Sequence, residues 1–315
     1  MNPKPLVKSK SGRHERRKTV TLIAGMVCHG GIVFAADSEE SGVIRKSVEK
    51  VSTNKKGFHR LEEALGGVKH SSLIVAGAGN GTLADYATQR IIEEAKYLQD
   101  IREVEKKIVE ILREIHTINV PLHPVSDPRD ADIELLIGVK SPKWPTPVLY
   151  STQGVTVVKR DTYFVCGSGA LIEYILDQVY RQGMPYEDGI SAALYMLQLA
   201  KQYVGGVGGE SQIVVLGADG EVTPKPSWEI SEEENMAKQF SLMAGRLLLS
   251  TMRTRTESGD ESFNSSLKEF VAQVRASRKR KRKSDRRMDD YRARIEAIRQ
   301  GEPPDDGETG ELVKE

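Results

Sequence analysis

Apolar residues first appear in this chain as two dense runs, Thr21 to Cys28 and Ile32 to Ala36, separated by His29-Gly30-Gly31. Short runs rich in β-branched residues, joined by glycines that accept a positive φ, predict a β-hairpin. Both runs are apolar at nearly every position rather than at alternate ones, which predicts strands covered on both faces. The hairpin brings Thr21, at the start of the first strand, near Asp37, which closes Ala35-Ala36-Asp37. A carboxylate ending a covered strand requires a partner.

Further along, Lys46 to Ser52 and Ser72 to Ala76 read as strands, the second running into Ala76-Gly77-Ala78-Gly79-Asn80-Gly81. Thr82 then caps a helix. Leu83, Tyr86, Ile91, Ala95, Leu98, Ile101, Val104, Ile108, Leu112 and Ile115 follow the three-to-four spacing of one or two amphipathic helices, ended by Pro121 and Pro124. Strands are predicted at Ile133 to Val139, Pro147 to Tyr150, Thr156 to Val158 and Tyr163 to Cys166. Gly167-Ser168-Gly169 opens a helix to about Gln182, Gly183-Met184-Pro185 breaks it, and another helix runs from Glu187 to Tyr203. The glycine-rich run from Val204 to Gly209 returns the chain to a strand, Gln212 to Leu216. Strands, helix pair, strands, helix pair, strand is the order of an α+β four-layer αββα sandwich.

Residues 1–18 are polar and basic and read as a disordered arm or propeptide, and 19–228 as the sandwich domain. Residues 229–300 read as a helical, basic C-terminal extension. It starts at Ser231-Glu232-Glu233-Glu234 and carries an apolar stripe of Met236, Phe240, Met243, Leu247 and Leu248. Residues 301–315 form an acidic tail expected to be disordered.

Composition narrows the classes. The 315 residues are 38% hydrophobic with a net charge of +1, enough apolar content for a full core and too little charge for a globally steered polyanion binder. No apolar run is long enough to span a membrane, and the basic arm lacks the apolar segment of a secretory signal, so a cytoplasmic location is expected. Cys28 and Cys166 sit in apolar runs and read as core residues rather than a disulfide, and the histidines show no ligand spacing. The basic run from Arg275 to Arg287 has no interleaved aromatics, which argues against nucleic-acid binding and for a solvated or partner-docking face.

Gly25, the glycine turn and the Ala35-Ala36-Asp37 ending resemble the pattern of the proteasome β-type subunits and their bacterial relatives, which are N-terminal-nucleophile hydrolases. The resemblance covers Thr19 to Trp228, about two thirds of the 315-residue chain. It implies the sandwich fold of that family and a threonine-type peptidase or amidase. Thr21 would be the nucleophile, Asp37 would orient a lysine, Lys46 or Lys50, with Lys46 favoured, and the Gly77 amide would face the oxyanion. Ser168 would bond near the nucleophile's amine, and Val75 would floor the substrate pocket. No cofactor or metal is implied. The implied partners are a peptide or unfolded-protein substrate, further copies in a ring, and an unfoldase or other protein partner.

The chemistry is coherent, because an N-terminal threonine carries its own base in an α-amine of pKa near ~7.7. That amine is free only if the residues before Thr21 are removed, and Val20 rather than a glycine precedes it. Each residue also has an ordinary reading: Thr21 as a strand residue, the lysines as edge-strand charges, Ser168 as a helix cap. The Asp/Ser pair that the family carries before its last strand is missing, with Glu210 and Ser211 displaced from it. The alternative is therefore a catalytically inactive ring subunit or scaffold, whose basic C-terminal helix docks a partner. A small-molecule amidase on the same fold would share Thr21.

Overall fold

The computed structural model describes residues 21–40, 46–47, 51–53, 71–119, 133–167, 170–252, 261, 263–276, 279 and 286. The arm at 1–18, Val20, Lys50, Ser168, the two helix-ending prolines, most of the basic run and the tail at 301–315 lie outside them. The described chain forms two units, one ending at Lys238 and one beginning at Gln239.

In the first unit the hairpin forms as β1 (Leu22–Cys28) and β2 (Gly31–Ala36), paired antiparallel with Ile23 opposite Ala36 and Cys28 opposite Gly31. The turn is thus His29-Gly30, and only Gly30 of the two glycines has a positive φ, 86°. Gly31, expected in the turn, is the first strand residue. It must be small for another reason, since a Cβ there would lie 2.6 Å from the Leu216 carbonyl oxygen of the neighbouring strand. Both hairpin strands are covered on both faces, as their unbroken apolar runs require.

The remaining strands are β3 (Glu39–Glu40), β4 (Lys46–Ser47), β5 (Val51–Thr53), β6 (Ser72–Gly79), β7 (Ile133–Lys140), β8 (Val148–Gln153), β9 (Thr156–Arg160), β10 (Tyr163–Gly167), β11 (Gln212–Gly217) and β12 (Val222–Pro224). They build an antiparallel sheet ordered β10-β1-β2-β11-β12, a second ordered β5-β6-β7-β8-β9, and the ribbon β3-β4. The strand expected over Lys46 to Ser52 is described only as the separate pieces β4 and β5. β12, at three residues, is too short to announce itself in sequence.

Strand alternation sorts the core. Ile23, Ile32, Phe34, Ala36, Cys166, Val214 and Leu216 of the first sheet meet Ile74, Ala76, Ala78, Leu136 and Leu149 of the second in one buried cluster, so the sheets face each other. Phe34 lies over Gly138, where a Cβ would come within 2.7 Å of its ring. Burying that ring completely contributes about 1.5–3 kcal/mol.

The opposite face of the second sheet packs on helices α1 (Gly81–Ala95) and α2 (Ile101–Asn119), and that of the first on α3 (Ala170–Val179) and α4 (Tyr186–Tyr203). Asn80 rather than Thr82 caps α1, its Oδ1 accepting the Leu83 amide at 3.2 Å, because the strand runs on through Gly79 before the helix can begin. Tyr86, expected on the apolar stripe, is 47% exposed.

Helix α5 (Ser227–Met252) begins four residues before the expected Ser231, with Pro226 supplying the carbonyl that accepts the Ile230 amide. A proline just outside the first turn costs the helix no donor, which makes Pro226 the earlier start signal. In the second unit, the later part of α5 and the helical stretch 263–276 bring Phe240 and Phe270 together with ring centres 5.6 Å apart. Among the described residues no helix is long and apolar enough to cross a membrane.

The two cysteines occupy different clusters and are free thiols. Cys28 packs against Gly189 of α4, and burial, followed by the charges of Asp188 and Glu187, pushes its pKa up to about 12. Burial, then Cys28, likewise pushes Tyr180, whose hydroxyl donates to the Val27 carbonyl at 2.7 Å, up to about 12. Both groups ionise earlier in the unfolded chain. Their contribution to stability is therefore complete below about pH 9 and drains away as pH rises from there through about 12. Melting temperature is expected to fall steadily from pH 9 to 11, and Tyr180→Phe to flatten that slope; an unchanged slope would show that the phenol does not contribute to it.

Candidate functional site

Asp37 ends the hairpin in a fully buried position. Its carboxylate accepts the Leu22 amide at 3.0 Å through Oδ1 and the Gly208 amide at 3.2 Å through Oδ2. The main chain reinforces both contacts: the Asp37 amide donates to the Leu22 carbonyl at 3.2 Å and the Ser38 amide to the Gly208 carbonyl at 3.3 Å. Hydrogen bonds to a charged group are worth about 1.5–3 kcal/mol each, so the carboxylate fixes the start of β1 and the glycine-rich loop after α4 together. Thr21, half-buried, is the residue immediately before this anchor.

The other side of Thr21 is set by Gly167. That glycine ends β10 opposite Leu22, has φ +87°, and packs so closely that a Cβ would lie 1.8 Å from the Thr21 carbonyl oxygen. Its amide donates to Glu134 Oε2 at 3.0 Å. Glu134 stands on β7, in the second sheet, opposite Ala78. Through this bond the end of the second sheet where β6 finishes closes over the end of the first where Thr21 sits.

Gly77 lies two residues before the end of β6. Its missing side chain admits helix α1, since a Cβ would approach that of Ala84 to 3.0 Å. Leu135, opposite it, gives its amide to Thr152 Oγ1 on β8 at 3.0 Å, so the two residues exchange no main-chain bonds. The Gly77 amide is therefore directed away from β7, past the described end of β5. Val75 is fully buried in the cluster beneath α1. Lys46 stands in β4 opposite Glu40.

Ser211, one residue before β11, donates to the Glu234 carboxylate of α5, which also binds Lys201 Nζ at 2.7 Å. Among the described residues no three His, Cys, Asp or Glu side chains gather to hold a metal ion.

The structure thus brings Thr21 and Asp37 together through Leu22. It adds Gly208, Gly167 and Glu134, which the sequence reading missed. A signal existed for each: Glu134 is the one charge within the apolar run Ile133 to Val139, and the two glycines belong to the glycine-rich runs Gly167 to Gly169 and Gly205 to Gly209.

At the level of architecture, the fold these elements make has counterparts among solved structures. Three similar solved structures are all of Anbu proteins. One is Anbu (ancestral beta-subunit) from Yersinia bercovieri, with a TM-score of 0.56, 16% identity, 75% of this chain covered and 98% of that one. Another is the helical assembly of the Anbu complex from Pseudomonas aeruginosa, with a TM-score of 0.56, 20% identity, and 72% and 95% covered. The third is an Anbu (Gly-1) mutant from Hyphomicrobium sp. strain MC1, with a TM-score of 0.56, 16% identity, and 71% and 96% covered. No family model and no curated protein matches the chain. These findings correct the resemblance drawn from sequence: the likeness is to Anbu, proteasome-like but distinct from the proteasome β-type subunits, and it shows the fold alone.

Proposed function

We propose that this chain is a self-assembling, proteasome-like subunit that hydrolyses amide bonds with Thr21. The supporting observation is the buried Asp37 carboxylate holding the Leu22 amide, which fixes the backbone beside the proposed nucleophile. We read the two facing sheets and their outer helices as a four-layer αββα sandwich in residues 19–228, with residues 229–300 as an extension serving contacts with other subunits or a partner.

In a chain beginning at Thr21, the α-amine takes the hydroxyl proton as Oγ bonds to the substrate carbonyl carbon. The Gly77 amide faces the resulting oxyanion. Collapse breaks the C–N bond, the ammonium returns its proton to the leaving amine, and water hydrolyses the acyl ester to regenerate Thr21. Asp37 with Lys46 tunes the proton transfer, Ser168 bonds beside the amine, and Val75 lies beneath the pocket. Peptides or unfolded proteins are the proposed substrates and an unfoldase a proposed partner; the chemistry requires no cofactor.

The second reading, an inactive scaffold subunit, draws support from Ser211. This hydroxyl, near where the family pattern places a catalytic pair, is engaged by Glu234 of α5. Intact mass spectrometry with a β-lactone probe separates the two readings. The enzyme reading expects a chain starting at Thr21 that gains one probe mass as Oγ opens the lactone. A chain keeping its leading residues and gaining no mass favours the scaffold.

A further inference from the structure

We propose that Glu134 is a positioning residue for the reaction at Thr21, an inference that rests on the reading of Thr21 as nucleophile. The peptide group joining Thr21 to Leu22 is gripped from both ends. Its N–H donates directly to Asp37 of the first sheet, and its carbonyl lies against the Gly167 backbone. Gly167 in turn gives its amide to Glu134 of the second sheet at 3.0 Å. Two carboxylates from opposing sheets therefore fix the orientation of one peptide group, and with it the atoms that carry the threonine side chain.

Several features argue that Glu134 is more than a surface acid. Ile133, Leu135, Ile137 and Val139 point to the helices under the second sheet, while Leu136 points into the cluster between the sheets. Strand alternation places Glu134 on that inner face with Leu136. It is half-buried and directly opposite Ala78, one residue beyond Gly77. The carboxylate keeps part of its solvent contact, and the Gly167 amide it accepts is exposed, so the bond stands out for what it joins rather than for any burial cost. That contact ties the sheet bearing the proposed oxyanion donor to the sheet bearing the proposed nucleophile. A loose tie would let the distance between the two vary, and small misplacements of reacting groups are expensive in rate.

Glutamine keeps a carbonyl oxygen in the same place, whereas alanine removes the acceptor. In protein whose first residue is Thr21, verified by intact mass, Glu134→Ala is expected to lower kcat for a fluorogenic peptide amide on the order of ten-fold at nearly unchanged KM, and to speed hydrogen exchange at the Gly167 amide by a similar factor. Glu134→Gln should recover most of both losses. A Glu134→Ala protein with unaltered kcat, or a Gln variant as impaired as the Ala variant, overturns the proposal. If the unmodified protein does not hydrolyse the substrate, the Thr21 reading fails; amide exchange still decides whether Glu134 holds Gly167, with unchanged exchange in Glu134→Ala refuting the grip itself.

Discussion

Thr21→Ala is expected to leave the protein folded and to reduce amide hydrolysis by at least about a thousand-fold, the scale on which removing a catalytic nucleophile acts. The residue is half-buried and stands just before β1, outside the three apolar clusters, so its loss removes no core volume. A change of melting temperature within a few degrees is expected on that ground. Thr21→Ser provides the matching control, since it keeps the hydroxyl and removes only a methyl. Substantial hydrolysis by the purified alanine variant would falsify the threonine mechanism. An active serine variant beside an inactive alanine one would tie the reaction to the hydroxyl rather than to the surrounding scaffold.

The second large effect is expected at Gly167. Alanine there meets two penalties at once: a φ of +87°, which an L side chain rarely adopts, and a Cβ 1.8 Å from the Thr21 carbonyl oxygen. The first costs roughly 1–2 kcal/mol. The second cannot be relieved by rotating a side chain, because the obstruction is backbone, so β1 and β10 must separate where Asp37 and Glu134 hold them. Together they are expected to cost about 3–5 kcal/mol, or a fall in melting temperature of roughly 10 °C for a unit of this size. Gly154 isolates the first penalty, having φ +57° and nothing within 4 Å of an added Cβ. Thermal melts of the two variants should therefore differ severalfold in their displacement. Equal shifts would mean that the contact with Thr21 relaxes freely.

The hairpin illustrates what the sequence made legible. Two apolar runs without alternation announced strands covered on both faces, and the chain pairs β1 with β2 accordingly. The carboxylate at its end announced a need for partners, and the need is met. The identities of those partners were not legible, because the Leu22 and Gly208 amides are backbone groups brought together by tertiary structure, and backbone carries no residue signature. Gly31 shows the same limit. Its place beside Gly30 suggests a turn requirement, whereas the β11 carbonyl beside it is a contact across the sheet that local patterning does not encode. Helix starts went astray for a different reason. Thr82 and Ser231 are good local caps, but Asn80 and Pro226 lie at the true starts, and the elements before them decide where a helix can begin.

The candidate site divides similarly. Thr21 and Asp37 are adjacent through β1–β2 pairing, a short-range consequence of one hairpin. Glu134 comes from the other sheet, and only its isolation in an apolar strand hinted at a task. The family assignment drawn from the same residues did not survive comparison, since a short motif can match a pattern that the whole chain shares only as a fold.

The bond from Gly208 to Asp37 joins residues 171 positions apart. During synthesis the hairpin emerges early, but its carboxylate is not fully satisfied until the loop before β11 has left the ribosome and docked. Contacts of such long range form late, after the cost of closing the intervening chain has been met. The bond to the Leu22 amide spans only the hairpin, but the second bond that holds the Asp37 carboxylate in place forms only once nearly the whole domain exists. On the proposed reading of Thr21 as nucleophile, a nascent or truncated chain holds its threonine unaligned, so that the order of folding itself delays the site until the domain is complete.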